Sequence, residues 1–186
     1  IGFFLSSCHT EEGQLAQWVA YDETEELQAN QEHPVKRMRY KRIQSQHSDR
    51  NTFFIPFKEA LLQFTESEYE RLKPLILEQD MLRIQEHVQK GNLTYEQLTL
   101  FYLYRIYRFE TARDTYLNAI IALNPEVLEQ ARMRDQNRAQ ELSHPLYGMP
   151  ILLKDNINAF PMATTAGAAA FKDNIPSDDA FLVKRL

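Results

Sequence analysis

The chain has one cysteine, Cys8, and no grouping of cysteine and histidine at metal-ligand spacing. His9, His33, His47, His87 and His144 are scattered singly, so neither a metal nor another cofactor is expected. Basic stripes are equally scarce. The only dense run is Lys36 to Arg42 (KRMRYKR), and beside a formal net charge of -5 it reads as a solvated segment rather than a nucleic-acid site. Glycine-rich turns around a serine are absent as well. None of Ser6, Ser7, Ser45, Ser48, Ser67, Ser143 and Ser177 sits in a turn that could present a nucleophile, and the backbone donors that would hold an oxyanion are missing with it.

What is present is an ordinary globular composition: 186 residues, 44% hydrophobic and 25% charged, enough for one core. Residues 1–8 (IGFFLSSC) run from an apolar stretch through two small residues to Cys8, and a polar tract, His9 to Gln14, follows at once. That order resembles the end of a bacterial lipoprotein signal peptide. It implies acylation of Cys8, a lipid anchor at the cell envelope and no membrane-spanning helix. The alternative is a buried free cysteine at the start of a strand, in which case a cytoplasmic location is expected.

Residues 9–64 read as a polar tether and extension, with Met38, Tyr40 and Ile43 as a short edge strand and Pro56 arguing against a central strand in the apolar run 53–57. Residues 65–112 read as helical. Thr65 to Glu68 is a capping-box pattern, and Pro74 either kinks that helix or starts the next. Leu77, Met81, Ile84 and Val88 at helical spacing predict one amphipathic helix over 74–90, stopped by Gly91. Thr94 to Gln97 is a second capping box. It opens a helix apolar or aromatic on most faces, with core packing favoured over a ligand wall for its aromatics and a lipid-facing patch as a further possibility.

Residues 113–186 predict α/β structure. Leu117 to Leu123 is strand-like, Asn124-Pro125 begins a helix carrying Val127, Leu128, Ala131 and Leu142, and Ile151 to Lys154 reads as a second strand, parallel to the first. Lys154 then emerges at a C-terminal strand end, where functional groups gather in such sheets and where desolvation favours the neutral amine. The alternative for it is a strand-end lysine reaching to solvent. Asp178-Asp179 is expected to cap a helix carrying Phe181, Leu182 and Val183.

Leu146, Gly148, Pro150, Lys154-Asp155-Asn156-Ile157 and Thr164-Thr165-Ala166-Gly167, with Asn124-Pro125, Asp135, Arg138 and Ala139 upstream, resemble the amidase signature family. The resemblance implies an α/β amidase-signature fold, a mixed sheet covered by helices, of which this chain would carry the N-terminal part behind a mainly helical extension. It implies Lys154 as the base of a Ser, cis-Ser, Lys triad, Thr164 and Thr165 near the substrate cavity, and a small-molecule or peptide amide as substrate. In the family both triad serines follow the lysine in a Gly/Ser-rich stretch, and none occurs before Leu186. These 186 residues alone are therefore expected to be inactive. Asp155 and Asn156 are expected to orient the loop or the lysine, with side chains pointing away from the ammonium. Two rivals remain: an amidotransferase A-type subunit, and a noncatalytic lipid-anchored interaction protein with Lys154 merely structural.

Overall fold

Thr94 begins the element around which the others pack. Its hydroxyl accepts from the Gln97 N–H at 3.0 Å while the Gln97 side chain accepts from the Thr94 N–H at 3.1 Å. The expected capping box is thus formed and starts a 17-residue helix, Tyr95–Thr111. In this computed structural model, which describes residues 14–20, 22–40, 49–112, 114–138 and 144–186, that helix is the fifth α-helix among the described residues, α5.

The other α-helices given by the described residues are α1 (Thr24–Ala29), α2 (Lys58–Gln63), α3 (Glu66–Ile76), α4 (Met81–Gln89), α6 (Val127–Gln136) and α7 (Phe181–Arg185). Tyr95, Leu98, Phe101, Tyr104 and Tyr107 of α5 are buried against Leu61 of α2, Tyr69, Leu72 and Ile76 of α3, Ile84 and Val88 of α4, and Leu128 and Ala131 of α6. Tyr69 stacks on Phe101 with ring centroids 4.8 Å apart, and Phe54 meets Tyr107 edge-on at 5.3 Å. Tyr95, Phe101, Tyr104 and Tyr107 of α5 are therefore core, Tyr102 packs against it and Phe109 is half-buried, and α5 exposes no large apolar residue toward a lipid surface.

The single helix expected over 74–90 is two. Pro74 lies inside the last turn of α3, Leu77 turns extended, Glu78 adopts φ 59°, and Asp80 accepts from the Arg83 N–H at 2.8 Å to start α4. Apolar spacing alone does not register this break, because Ile84 and Val88 face the core from a helix restarted by a strong N-cap. Gly91, at φ 74°, ends α4 as expected. Lys36–Arg39 is a 3-10 turn instead of the expected edge strand at Met38 and Tyr40, and Ile43 lies outside the described residues. Residues Arg50–Phe57 also form 3-10 turns, with Pro56 inside them and Phe54 and Phe57 buried.

No strand occurs among the described residues, so the two expected parallel strands are not paired in this structure. Around 117–123 the reason is local. Asn118 sits at φ 57°, the Ala119 N–H donates to Glu110 Oε1 at 3.0 Å, and the Ile120 carbonyl accepts from Arg50 at 3.4 Å, so side chains occupy groups that a ladder needs. Residues 151–154 are irregular, with Leu152 exposed, and no neighbouring extended segment among the described residues offers them a ladder. The helix after Asp178-Asp179 does form, but neither carboxylate caps it. Asp179 accepts from the Phe160 N–H at 2.7 Å and Asp178 pairs with Lys184 at 3.1 Å.

Candidate active site

The segment leading to Lys154 departs from a fixed point on the helices. Gly148, at φ 71°, lies directly on the Tyr95 ring, where a Cβ would come within 2.5 Å of it. Only glycine suits that place, on steric and conformational grounds together. The Tyr95 hydroxyl donates to Gln85 Oε1 at 2.7 Å, and Gln85 Nε2 donates to the carbonyls of Tyr147 at 2.8 Å and Pro145 at 3.0 Å. Burial raises the Tyr95 phenol above its ordinary pKa, although the Gln85 bond opposes the shift, so it stays a neutral donor. The Tyr147 hydroxyl donates to the Arg134 carbonyl at 3.2 Å, and Arg138 donates to the Val88 carbonyl at 2.9 Å.

Asp135 works on the same joint. Its two oxygens accept the Tyr95 N–H at 2.9 Å and the Glu96 N–H at 3.0 Å, satisfying donors that α5 leaves unpaired in its first turn. Asp135 and Arg138 thus have structural roles at the base of the segment.

Beyond this joint the chain reaches Lys154, whose carbonyl accepts from the Ile157 N–H at 2.9 Å in a tight turn. The side chain of Lys154 is exposed and makes no hydrogen bond or ion pair among the described residues, so these residues do not supply the desolvation expected of a buried base. Asp155 points elsewhere, as expected from the sequence. Its carboxylate accepts from the Thr165 N–H and the Gly167 N–H, each at 3.0 Å, and from the Thr165 hydroxyl, while its carbonyl accepts from the Ala166 N–H at 2.8 Å. Partial burial pushes this carboxyl up, but the Thr165 and Gly167 donors, with the Lys154 charge, outweigh it and hold the group below its ordinary range.

Thr164 and Thr165 lie in this loop, both half-buried. The Thr164 N–H donates to the Asn174 carbonyl and the Thr164 carbonyl accepts from Asn174 Nδ2, each at 2.9 Å. The structure therefore brings Thr165 to the residue following Lys154 and engages its hydroxyl within the loop. Separately, an open groove of about 730 Å³ lies between α6 and residues 146–151, lined by Val127, Ala131, Leu146, Met149 and Ile151. Lys154, Thr164 and Thr165 do not border it. Cys8, Ala139 and Leu142 lie outside the described residues.

Sequence reasoning missed three of the side chains that organise this region, Arg50, Glu110 and Gln85. Arg50 Nη1 donates to Glu110 Oε2 at 2.8 Å in a nearly sealed site, with Asn118 accepting from the other guanidinium nitrogen and the Tyr116 ring 4.6 Å from the guanidinium carbon. Gln85 was missed because a glutamine on an amphipathic helix carries no signal. For Glu110, a carboxylate on the buried face of α5 was a signal that a cation must lie opposite.

Residues 97–186 match the family model described as Amidase. An amidase family protein from Bacillus anthracis aligns with 31% identity and a TM-score of 0.64, over 70% of this chain and 26% of that one. The peptide amidase from Stenotrophomonas maltophilia aligns with 45% identity and a TM-score of 0.56, over 59% of this chain and 22% of that one. The A-type subunit of the glutamyl-tRNA(Gln) amidotransferase from Exiguobacterium sibiricum shares 38% identity over 73 residues, 39% of this chain and 15% of that protein. The chain spans about a fifth or less of the length of the curated relatives it matches. The region that resembles the amidase family is residues 97–186, which carry Lys154, Asp155 and the Thr164–Gly167 loop.

Proposed function

We propose that the protein is an amide hydrolase in which Lys154 is the general base of a Ser, cis-Ser, Lys triad. In that reaction the nucleophilic serine attacks the carboxamide carbon while its proton passes through the bridging serine to the Lys154 amine. Lys154 then returns that proton through the bridging serine to the leaving nitrogen as the C–N bond breaks, and water, deprotonated by the same route, hydrolyses the acyl-enzyme and restores the serine. No cofactor enters these steps. The observation that carries the reading is the geometry around Lys154: its carbonyl and the following residue are pinned by hydrogen bonds, whereas its amine is unengaged among the described residues. A base has to be held at its backbone and left open at its reacting atom.

Ser67 and Ser177, the serines among the described residues, do not bond to Lys154, and the two triad serines belong to the same proposal. In the full-length natural protein, Lys154→Ala should abolish ammonia release from carboxamides while leaving the far-UV circular dichroism unchanged. Peptide amides are the favoured substrates, supported by the 45% identity to a peptide amidase. The pairing of residues 151–154 into a mixed sheet belongs to the same proposal.

A second reading, an amidotransferase A-type subunit, is supported by the similarity to proteins of that name. It predicts turnover only with partner subunits present, whereas the hydrolase reading predicts turnover without them. Lipid anchoring through Cys8 at the cell envelope is a separate proposal, tested by mass spectrometry of the mature N-terminal peptide. A diacylglyceryl thioether on Cys8 supports it, and an unmodified cysteine with residues 1–7 retained refutes it.

A further inference from the structure

Asp155 gathers four hydrogen bonds from three consecutive residues: the Thr165 N–H, the Thr165 hydroxyl and the Gly167 N–H reach its carboxylate, and the Ala166 N–H reaches its carbonyl. Ala166 at φ 51° and Gly167 at φ 73° are both left-handed, which turns the N–H groups of 165 and 167 toward one point. Such a concavity of backbone donors is an anion nest, and here a side chain of the same chain occupies it. An internal carboxylate in a nest consumes the loop's donors, so this loop has none of these N–H groups to offer a substrate oxyanion. What it does instead is fasten residue 155 to a second segment ten residues away.

The fastening bears directly on Lys154. On one side the Lys154 carbonyl is fixed by the Ile157 N–H at 2.9 Å, and on the other the next residue is clamped through both its backbone and its side chain. The ammonium has no such restraint among the described residues. Lysine carries a flexible four-carbon stem, so a fixed backbone is what limits the volume its amine explores.

We propose that Asp155 is a positioning residue: its carboxylate, seated in the Thr165–Gly167 nest, fixes the backbone from which Lys154 acts. This rests on the reading of Lys154 as the base. Thr165 belongs to the clasp rather than to the substrate contacts, since its hydroxyl and its N–H are both spent on Asp155.

The test compares the wild-type full-length natural protein with Asp155→Asn, Asp155→Glu, Thr165→Val and Lys154→Ala. Two quantities are read: hydrogen exchange at residues 154–167, and kcat and KM for ammonia release from peptide amides. Asp155→Asn is expected to lose exchange protection at Ala166, Gly167 and Ile157 and to lower kcat at least tenfold with KM within about twofold. Asp155→Glu should recover part of both, and Thr165→Val should give a smaller effect of the same kind, which keeps the test decisive if Asp155→Asn fails to fold. Loss of protection with kcat within twofold of wild type overturns the positioning role, as does unchanged protection at Ile157. Retained turnover in Lys154→Ala would overturn the base assignment, and with it any positioning role in catalysis, while leaving the clasp itself visible in the exchange data.

Discussion

Arg50 and Glu110, sixty positions apart, form an ion pair at 2.8 Å in which the side chains keep only 4% and 7% of their exposure. The pair ties the segment before α2 to the end of α5. Through Asn118, Ala119 and Ile120 it also ties down the first stretch of the region that leads toward Lys154. Glu110→Ala would leave the guanidinium buried without its counter-charge and the Ala119 N–H without an acceptor. Removing one partner of such a pair costs about 3–5 kcal/mol. The expected result in urea unfolding is a loss in that range, and a smaller loss for the double variant Arg50→Met with Glu110→Leu.

Gly148→Ala tests the joint on Tyr95. The added Cβ would meet the ring at 2.5 Å and hold a side chain at φ 71°, so Tyr95 must move and its bond to Gln85 is disturbed. Overpacking of this kind costs roughly 1–3 kcal/mol. Thermal unfolding should show the loss, and Tyr95→Phe, which leaves ring packing intact, should lose less.

Asp135→Ala removes both acceptors from the start of α5 while Thr94 remains. The expected loss is about 1 kcal/mol, the usual value for an N-terminal cap. Exchange at the Tyr95 and Glu96 amides should rise without change at the buried end of the helix.

The pH dependence of the Asp155 clasp has a definite sign. Its carboxyl is held below the ordinary range in the folded chain, so the stabilisation it provides is complete above the unfolded pKa and is lost as pH falls through the folded one. Protection at Ala166 and Gly167 should be constant above about pH 5 and decline below roughly pH 4, corrected for intrinsic exchange. In Asp155→Asn that acid step should vanish.

Much of the helical layer was legible because its signals are local. The Thr94 box, the Thr65 cap and the stop at Gly91 each act within a few residues, and the aromatic spacing of α5 matches its buried face. Local signals also misled. The spacing of Leu77, Met81, Ile84 and Val88 continues smoothly across a break imposed by Glu78 and Asp80, and Asp179 has a cap's identity but is drawn to the Phe160 N–H instead. The apolar run at 117–123 reads as a strand, yet Arg50 and Glu110 claim its backbone from afar. At the site, the outward turn of Asp155 was readable, whereas the strand end expected to carry Lys154 is not formed among the described residues and its side chain is exposed. The nest that holds Asp155 was not, since it depends on left-handed backbone at Ala166, where the sequence offers an ordinary alanine.

Ammonia release by the Lys154→Ala variant of the full-length natural protein, assayed on peptide amides with the fold checked by far-UV circular dichroism, is the most direct test of the proposed chemistry. A general base contributes at least about a hundredfold. The expected result is a loss of kcat of that size or more with an unchanged fold, and turnover within a few-fold of wild type would contradict the assignment of Lys154.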